Sequence, residues 1–115
     1  MVQYQADGPG APDALDRTFA ALADPTRRAI VGRLGEGAAS VSAVAAPFDM
    51  SLPAVAKHIA VLERAGLVET EKRGRTRVCR LQGRSLEAAT DWMTRQTSFW
   101  ERQLDALTRH VENGA

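Results

Sequence analysis

The sequence predicts a mainly α-helical domain with one small β-hairpin, ordered as four helices, two strands and a fifth, longer helix. Three observations carry that prediction. Apolar residues recur at three-and-four spacing in separate runs between Asp13 and Arg64 and again from Leu86 to Val111, with proline or glycine at the breaks. Between these runs, Leu67–Arg73 and Thr76–Leu81 are short, β-branched and charged, and they flank Gly74-Arg75 as strands flank a turn. A length of 115 residues and a hydrophobic fraction of 44% suit one compact domain, 13–115, behind a disordered leader, 1–12, that holds Gly8-Pro-Gly-Ala-Pro12.

The first helix starts at Asp13, shows one face through Leu15, Phe19 and Leu22, and stops before Asp24-Pro25. Asp24 then caps a second helix with Pro25 at its first position; Ile30, Val31 and Leu34 are its buried side, and Gly35 and Gly37 end it. Ser40 caps a third, short helix whose apolar side is Val41, Val44 and Ala45, with Phe48 one turn later and Pro47 limiting its length. After a turn at Asp49-Met50, Ser51 caps a fourth helix that tolerates Pro53 in its first turn, where backbone donors have no helical acceptor. Leu52, Val55, Ile59 and Leu62 form its apolar stripe, and Gly66 supplies the left-handed stop. Pro53, Ala54, Lys57, His58 and Val61 are thereby left pointing outward. Ser85 caps the last helix, expected over 85–111, with apolar positions at Leu86, Ala89, Trp92, Met93, Phe99, Trp100, Leu104, Leu107 and Val111.

A short helix, a tight turn and a second helix with an exposed face make a helix-turn-helix over 40–66, and the hairpin over 67–82 is placed as its wing. Charge agrees with a polyanionic partner. The net charge of +1 divides into −3 for residues 1–24, +6 for 25–84 and −2 for 85–115. Lys72, Arg73, Arg75, Arg77, Arg80 and Arg84 fall in a run without any acid; such a run alone can be just a solvated surface, but beside a candidate recognition helix the preferred reading is phosphate and minor-groove contact by the wing. Gly74 permits the positive φ that projects arginines at the tip. The residues expected at DNA are Ser51, Pro53, Ala54, Lys57 and His58 on the helix and Arg73, Arg75 and Arg77 on the wing. Lys57 can donate to guanine O6 or N7, and Ala54 can meet a thymine methyl. His58 has a second reading as a packed histidine, and Arg27 and Arg28 either touch the DNA backbone or pair with an acid inside the fold.

The terminal helix would run roughly 40 Å at ~1.5 Å per residue, too long for a core of this size to cover. Part of its stripe is therefore expected on a second copy, with the first helix alongside: Leu15, Phe19, Trp92, Phe99, Trp100, Leu104 and Leu107 are the interface candidates. Either tryptophan could instead belong to the chain's own core. Cys79 is the single cysteine, which excludes an intramolecular disulfide. Its alternation with Leu81 makes it a buried, inert thiol, whereas a redox switch would need exposure. With neither a signal peptide nor an apolar run of membrane length, the expected location is the cytoplasm.

Leu22-Ala-Asp-Pro-Thr-Arg-Arg-Ala-Ile30, the segment Ser51 to Val68 and Arg73-Gly-Arg-Thr-Arg77, in this order and spacing, resemble the ArsR (arsenic repressor-like) family of bacterial winged-helix transcriptional regulators. The resemblance runs from about Leu15 to Val111. It implies a homodimer joined through its first and last helices, and a repressor that leaves its operator when an effector binds. The sequence departs from the family's metal sensors. Where one type places paired cysteines, this chain has Val41-Ser-Ala-Val-Ala45; where another spaces Asp and His along the last helix, this chain has Asp91, Asp105, His110 and Glu112 with one imidazole. His58, Cys79 and His110 fall in three different elements, so no metal site and no cofactor are expected. The closest resemblance is to the non-sensing branch with an aromatic terminal helix.

The leading expectation is a homodimeric, DNA-binding repressor or autorepressor on a pseudo-palindromic operator. A winged-helix protein-interaction module is the alternative, and it predicts no salt-dependent duplex binding. A third reading, still a repressor, adds a small apolar effector held near Trp92, Met93 or Phe99. Enzymatic function is not expected, since no nucleophile with an adjacent base, paired carboxylates or phosphate loop is present.

Overall fold

The computed structural model describes residues 12–114. In chain order the elements are α1 (Pro12–Leu22), α2 (Pro25–Leu34), β1 (Ala39–Ser40), α3 (Val41–Ala45), α4 (Leu52–Arg64), β2 (Val68–Arg73), β3 (Thr76–Leu81) and α5 (Gly83–Glu112). The leader expected over 1–12 lies outside the described residues except for Pro12, which opens α1.

The core is one cluster between the short helices and the sheet. Ile30 and Leu34 of α2, Val44 of α3, and Val55, Ile59 and Leu62 of α4 meet Leu67, Val68 and Cys79, all buried. The caps behave as their residue types dictate. Asp24 accepts from Arg27 N at 3.0 Å, Ser40 from Ala43 N at 3.1 Å and Ser51 from Ala54 N at 3.2 Å. Gly66, at φ +77°, closes α4: Gly66 N donates to Glu63 O at 3.0 Å and Leu67 N to Leu62 O at 2.9 Å, which swings Leu67 into the core.

Three expectations are corrected. The sheet has three strands in the order β1-β3-β2, not two: Ala39 pairs with Cys79 and Ser40 with Val78, in a strand too short for alternation to mark it. The buried face of α1 is Ala14, Thr18 and Ala21, while Leu15, Phe19 and Leu22 are half-buried. Small residues let α1 approach the core closely, and Thr18 satisfies its hydroxyl by donating to Ala14 O at 3.0 Å. Leu52, expected in the stripe of α4, keeps 49% of its surface exposed because the first turn overhangs the core.

Ser85 does not cap α5, which begins two residues earlier. Gln82 occupies the cap position without a side-chain cap bond, its amide being drawn to Glu69 Oε2 at 2.6 Å. Ser85 is buried and donates instead to Ala65 O at 3.2 Å, tying the start of α5 to the end of α4. Beyond this anchor, α5 rests on α1, with Ala89 buried and the rings of Phe19 and Trp92 edge to face at 5.7 Å.

A candidate nucleic-acid interface

With Val55, Ile59 and Leu62 facing inward, α4 turns Pro53, Ala56, Lys57 and Arg64 to solvent. Lys57 has no side-chain partner among the described residues. Ala54, His58 and Val61, also expected to point outward, lie on a half-buried flank that α1 and α2 cover. Val61 packs on the core beside Ala20 and Ala21. Ala56, on the opposite flank, is an exposed position that sequence reasoning missed, as is Leu52. Helical spacing identifies the buried stripe, but which flank a neighbour covers is decided by tertiary packing.

His58 is fixed by Arg27. Its Nδ1 lies 3.2 Å from Arg27 Nη1 and 3.9 Å from an Asp24 carboxylate oxygen. A guanidinium can only donate, so in this contact Nδ1 is the accepting atom. Arg27 also donates through Nε to Ala21 O at 2.7 Å and through Nη2 to Ala20 O at 3.3 Å, while Arg28 Nη1 donates to Leu22 O at 2.8 Å. Both arginines thus serve the carbonyls that end α1, acceptors absent from either earlier reading. The backbone N–H of Arg27, helped by the nearby Arg27 guanidinium charge, holds the Asp24 carboxyl below its ordinary pKa.

The wing sorts its charges by face. Glu69 pairs across the ladder with Arg80, Glu71 with Val78 and Arg73 with Thr76, giving one face; Thr70 with Cys79 and Lys72 with Arg77 give the other. On the first face, Arg73 Nε lies 3.4 Å and Arg80 Nη2 3.2 Å from Glu71, and Arg80 Nε is 3.7 Å from Glu69. The run without acids in sequence therefore has acids beside it in space, Glu71 two residues back on the same strand for Arg73 and Glu69 and Glu71 of the partner strand for Arg80. The hydrogen bond from Arg73, reinforced by the Arg73 and Arg80 charges, lowers the pKa of Glu71.

On the other face, Arg77 Nη1 donates to Thr70 Oγ1 at 2.8 Å, and Thr70 donates to Glu63 Oε2 at 2.9 Å. This relay fastens the wing to α4 and takes up part of the hydrogen-bonding capacity of Arg77. Lys72 and Arg75 stay exposed without a side-chain partner among the described residues, Arg75 directly after Gly74 at φ +62°. Cys79 sits beneath the same face, wholly buried, and burial pushes its thiol pKa up. It has the environment of an inert thiol.

The opposite end of the molecule is apolar and open. Phe99, Trp100, Leu104, Leu107 and Val111 of α5 are exposed, Trp100 at 61%, and the Phe99 and Trp100 rings touch edge to face at 6.1 Å. Of the expected interface residues, Leu15, Phe19 and Trp92 also pack within their own chain, Phe19 and Trp92 on each other. Among the described residues no three His, Cys, Asp or Glu side chains come together as a metal-binding group, and no helix is long and apolar enough to cross a membrane.

Known proteins share this arrangement. Residues 22–71 match the family described as a helix-turn-helix domain. The HTH-type transcriptional regulator Rv2034 of Mycobacterium tuberculosis is 39% identical over 98 residues, spanning 85% of this chain and 89% of that protein. The crystal structure of the ArsR family transcriptional regulator RHA00566 aligns with a TM-score of 0.75 at 46% identity, covering 88% of this chain and 97% of that one. The homodimeric winged helix-turn-helix DNA-binding domain of Mb0332 from Mycobacterium bovis aligns at 0.60 and 27% identity, over 79% of this chain and 82% of that one. With α3 and α4 as its helix-turn-helix and β2-β3 as its wing, this chain belongs to the ArsR family of winged helix-turn-helix transcriptional regulators.

Proposed function

We propose that the chain acts as a homodimer that binds a pseudo-palindromic DNA operator and represses transcription by occupying it. The observation that carries this reading is the coexistence of an outward-facing α4 at one end with a terminal helix whose apolar face its own chain leaves uncovered at the other. Joining two copies through α1 and α5 buries Trp100, Leu104 and Leu107 and duplicates the reading helix. Two α4 helices then enter successive major grooves about one helical turn apart. The homodimeric Mb0332 domain supports this arrangement.

Within this reading Lys57 addresses a base edge from Pro53, Ala54 and Ser51's end of the helix, and Arg75 and Lys72 neutralise phosphates. Arg73 and Arg77 add less, being held by Glu71 and Thr70. His58 reaches DNA only through its Nε2 edge. The working unit is the domain over 13–115, in the bacterial cytoplasm, and the reading assigns it no enzymatic step. A small-molecule effector that releases the operator would be reported by the two tryptophans, Trp92 and Trp100.

The test is selection of bound duplexes from a randomised pool, followed by a gel-shift salt series on the selected sequence. Operator binding that falls steeply with salt supports the reading. Failure to retain any duplex even at low salt contradicts it and favours the protein-interaction module.

A further inference from the structure

The first two turns of α4 are the part of a reading helix that reaches base edges, and here they carry little hydrogen-bonding chemistry. Ser51 Oγ already accepts from Ala54 N, leaving its O–H and one lone pair. Leu52, Pro53 and Ala56 are exposed, and Lys57 is the one charged side chain among them. His58 has committed its Nδ1 to Arg27. At 100° per residue, positions 52, 56, 53 and 57 form one contiguous arc, so three apolar side chains and one ammonium share a surface.

Leu52 makes this arrangement informative. It leaves 49% of its surface in water, and neighbouring Met50 leaves 38%. An apolar surface bordered by Lys57 on the same helix has the character of one made for apolar groups set beside an anionic backbone. In the DNA major groove, the apolar group that a base pair presents is the thymine 5-methyl.

Resting on the DNA-binding reading above, we propose that α4 identifies its operator chiefly through thymine methyl groups packed against Leu52, Pro53 and Ala56, with Lys57 fixing a single guanine. Discrimination is then spread over several contacts that each contribute about the burial of one methyl, threefold to fourfold in affinity. A base pair lacking the methyl is disfavoured without leaving a buried donor unpaired. The half-sites are rich in thymine, and Leu52 is a specificity residue.

The experiment replaces thymidine by deoxyuridine in the selected duplex, which removes the methyl and leaves every hydrogen bond in place. Affinity should fall about threefold to fourfold for each contacted thymine, and substitutions outside the half-sites should leave it unchanged. Leu52→Ala should bring the thymidine and deoxyuridine duplexes closer in affinity, whereas Lys57→Ala should weaken both and preserve their ratio. Equal binding of the two duplexes, with selectivity over random DNA intact, overturns the proposal while leaving operator binding standing. Failure to select any duplex removes operator binding itself, and the proposal with it.

Discussion

Arg27 joins three helices: it leaves α2, closes two carbonyls at the end of α1, and holds His58 on α4. Because α1 also carries Phe19 against Trp92 of α5, the side chain links the proposed dimer region to the proposed reading helix. Arg27→Ala should destabilise the fold by about 1–3 kcal/mol, read from urea unfolding. Arg27→Lys should recover only part of this, since an ammonium cannot serve three acceptors with a planar fork. Asp24 gives a pH signature. Its folded-state pKa lies below the ordinary aspartate value of about 3.9, so the charged form stabilises the fold at neutral pH. That contribution is present above about pH 4 and is lost as pH falls through the lower, folded-state pKa. Asp24→Asn keeps a cap oxygen without the charge, so its melting temperature should trail that of the parent at pH 7 and converge with it in acid. The Asp24-Pro25 cap was legible in the sequence because caps are local. The acceptors of Arg27 and Arg28 were not, since they exist only after α1 has ended where α2 can reach it.

Among the elements, α4 depends on its junction with α5. Gly66 has φ +77°, and a Cβ there would lie 2.7 Å from Ser85 Oγ. Gly66→Ala should therefore cost stability through both backbone strain and that contact, about 1–2 kcal/mol from the backbone alone. Ser85→Ala in the same chain should relieve the contact but not the strain, a non-additivity visible in a double-mutant cycle. The wing makes a sharper comparison. Arg75→Ala should weaken binding to all duplexes and lower the salt slope by about one, whereas Arg73→Ala should do less because Glu71 already holds that guanidinium. A gel-shift salt series on both variants checks the order. The hairpin and the helix boundaries, except the start of α5, followed from periodicity and turn chemistry. The pairing of Arg80 with Glu69 and Glu71 followed from cross-strand register, which a charge count along the chain cannot show. The two-residue β1 was invisible for the same reason.

For the whole molecule, the 30-residue α5 extends about 45 Å at 1.5 Å per residue, and its second half is solvent-exposed with Trp100, Leu104, Leu107 and Val111 aligned. A chain with such a helix is expected as a dimer. Trp100→Ala should loosen the dimer by about 2 kcal/mol as an interface anchor, and Leu104→Glu should separate the copies by placing a charge in the seam. Both variants should keep a folded head, since neither residue is buried within its own chain. The excess length of the helix was readable from sequence, as was the uncovered apolar face of its second half; which tryptophan also packs internally required the placement of Phe19. The central claim is that DNA is read by two copies held together through α1 and α5. Its most direct test is the mass of the complex with the selected duplex, measured by light scattering or native mass spectrometry. Two chains per duplex, with Leu104→Glu losing operator binding while staying folded, is the predicted result. One chain per duplex, or undiminished operator binding by the monomeric variant, would contradict it.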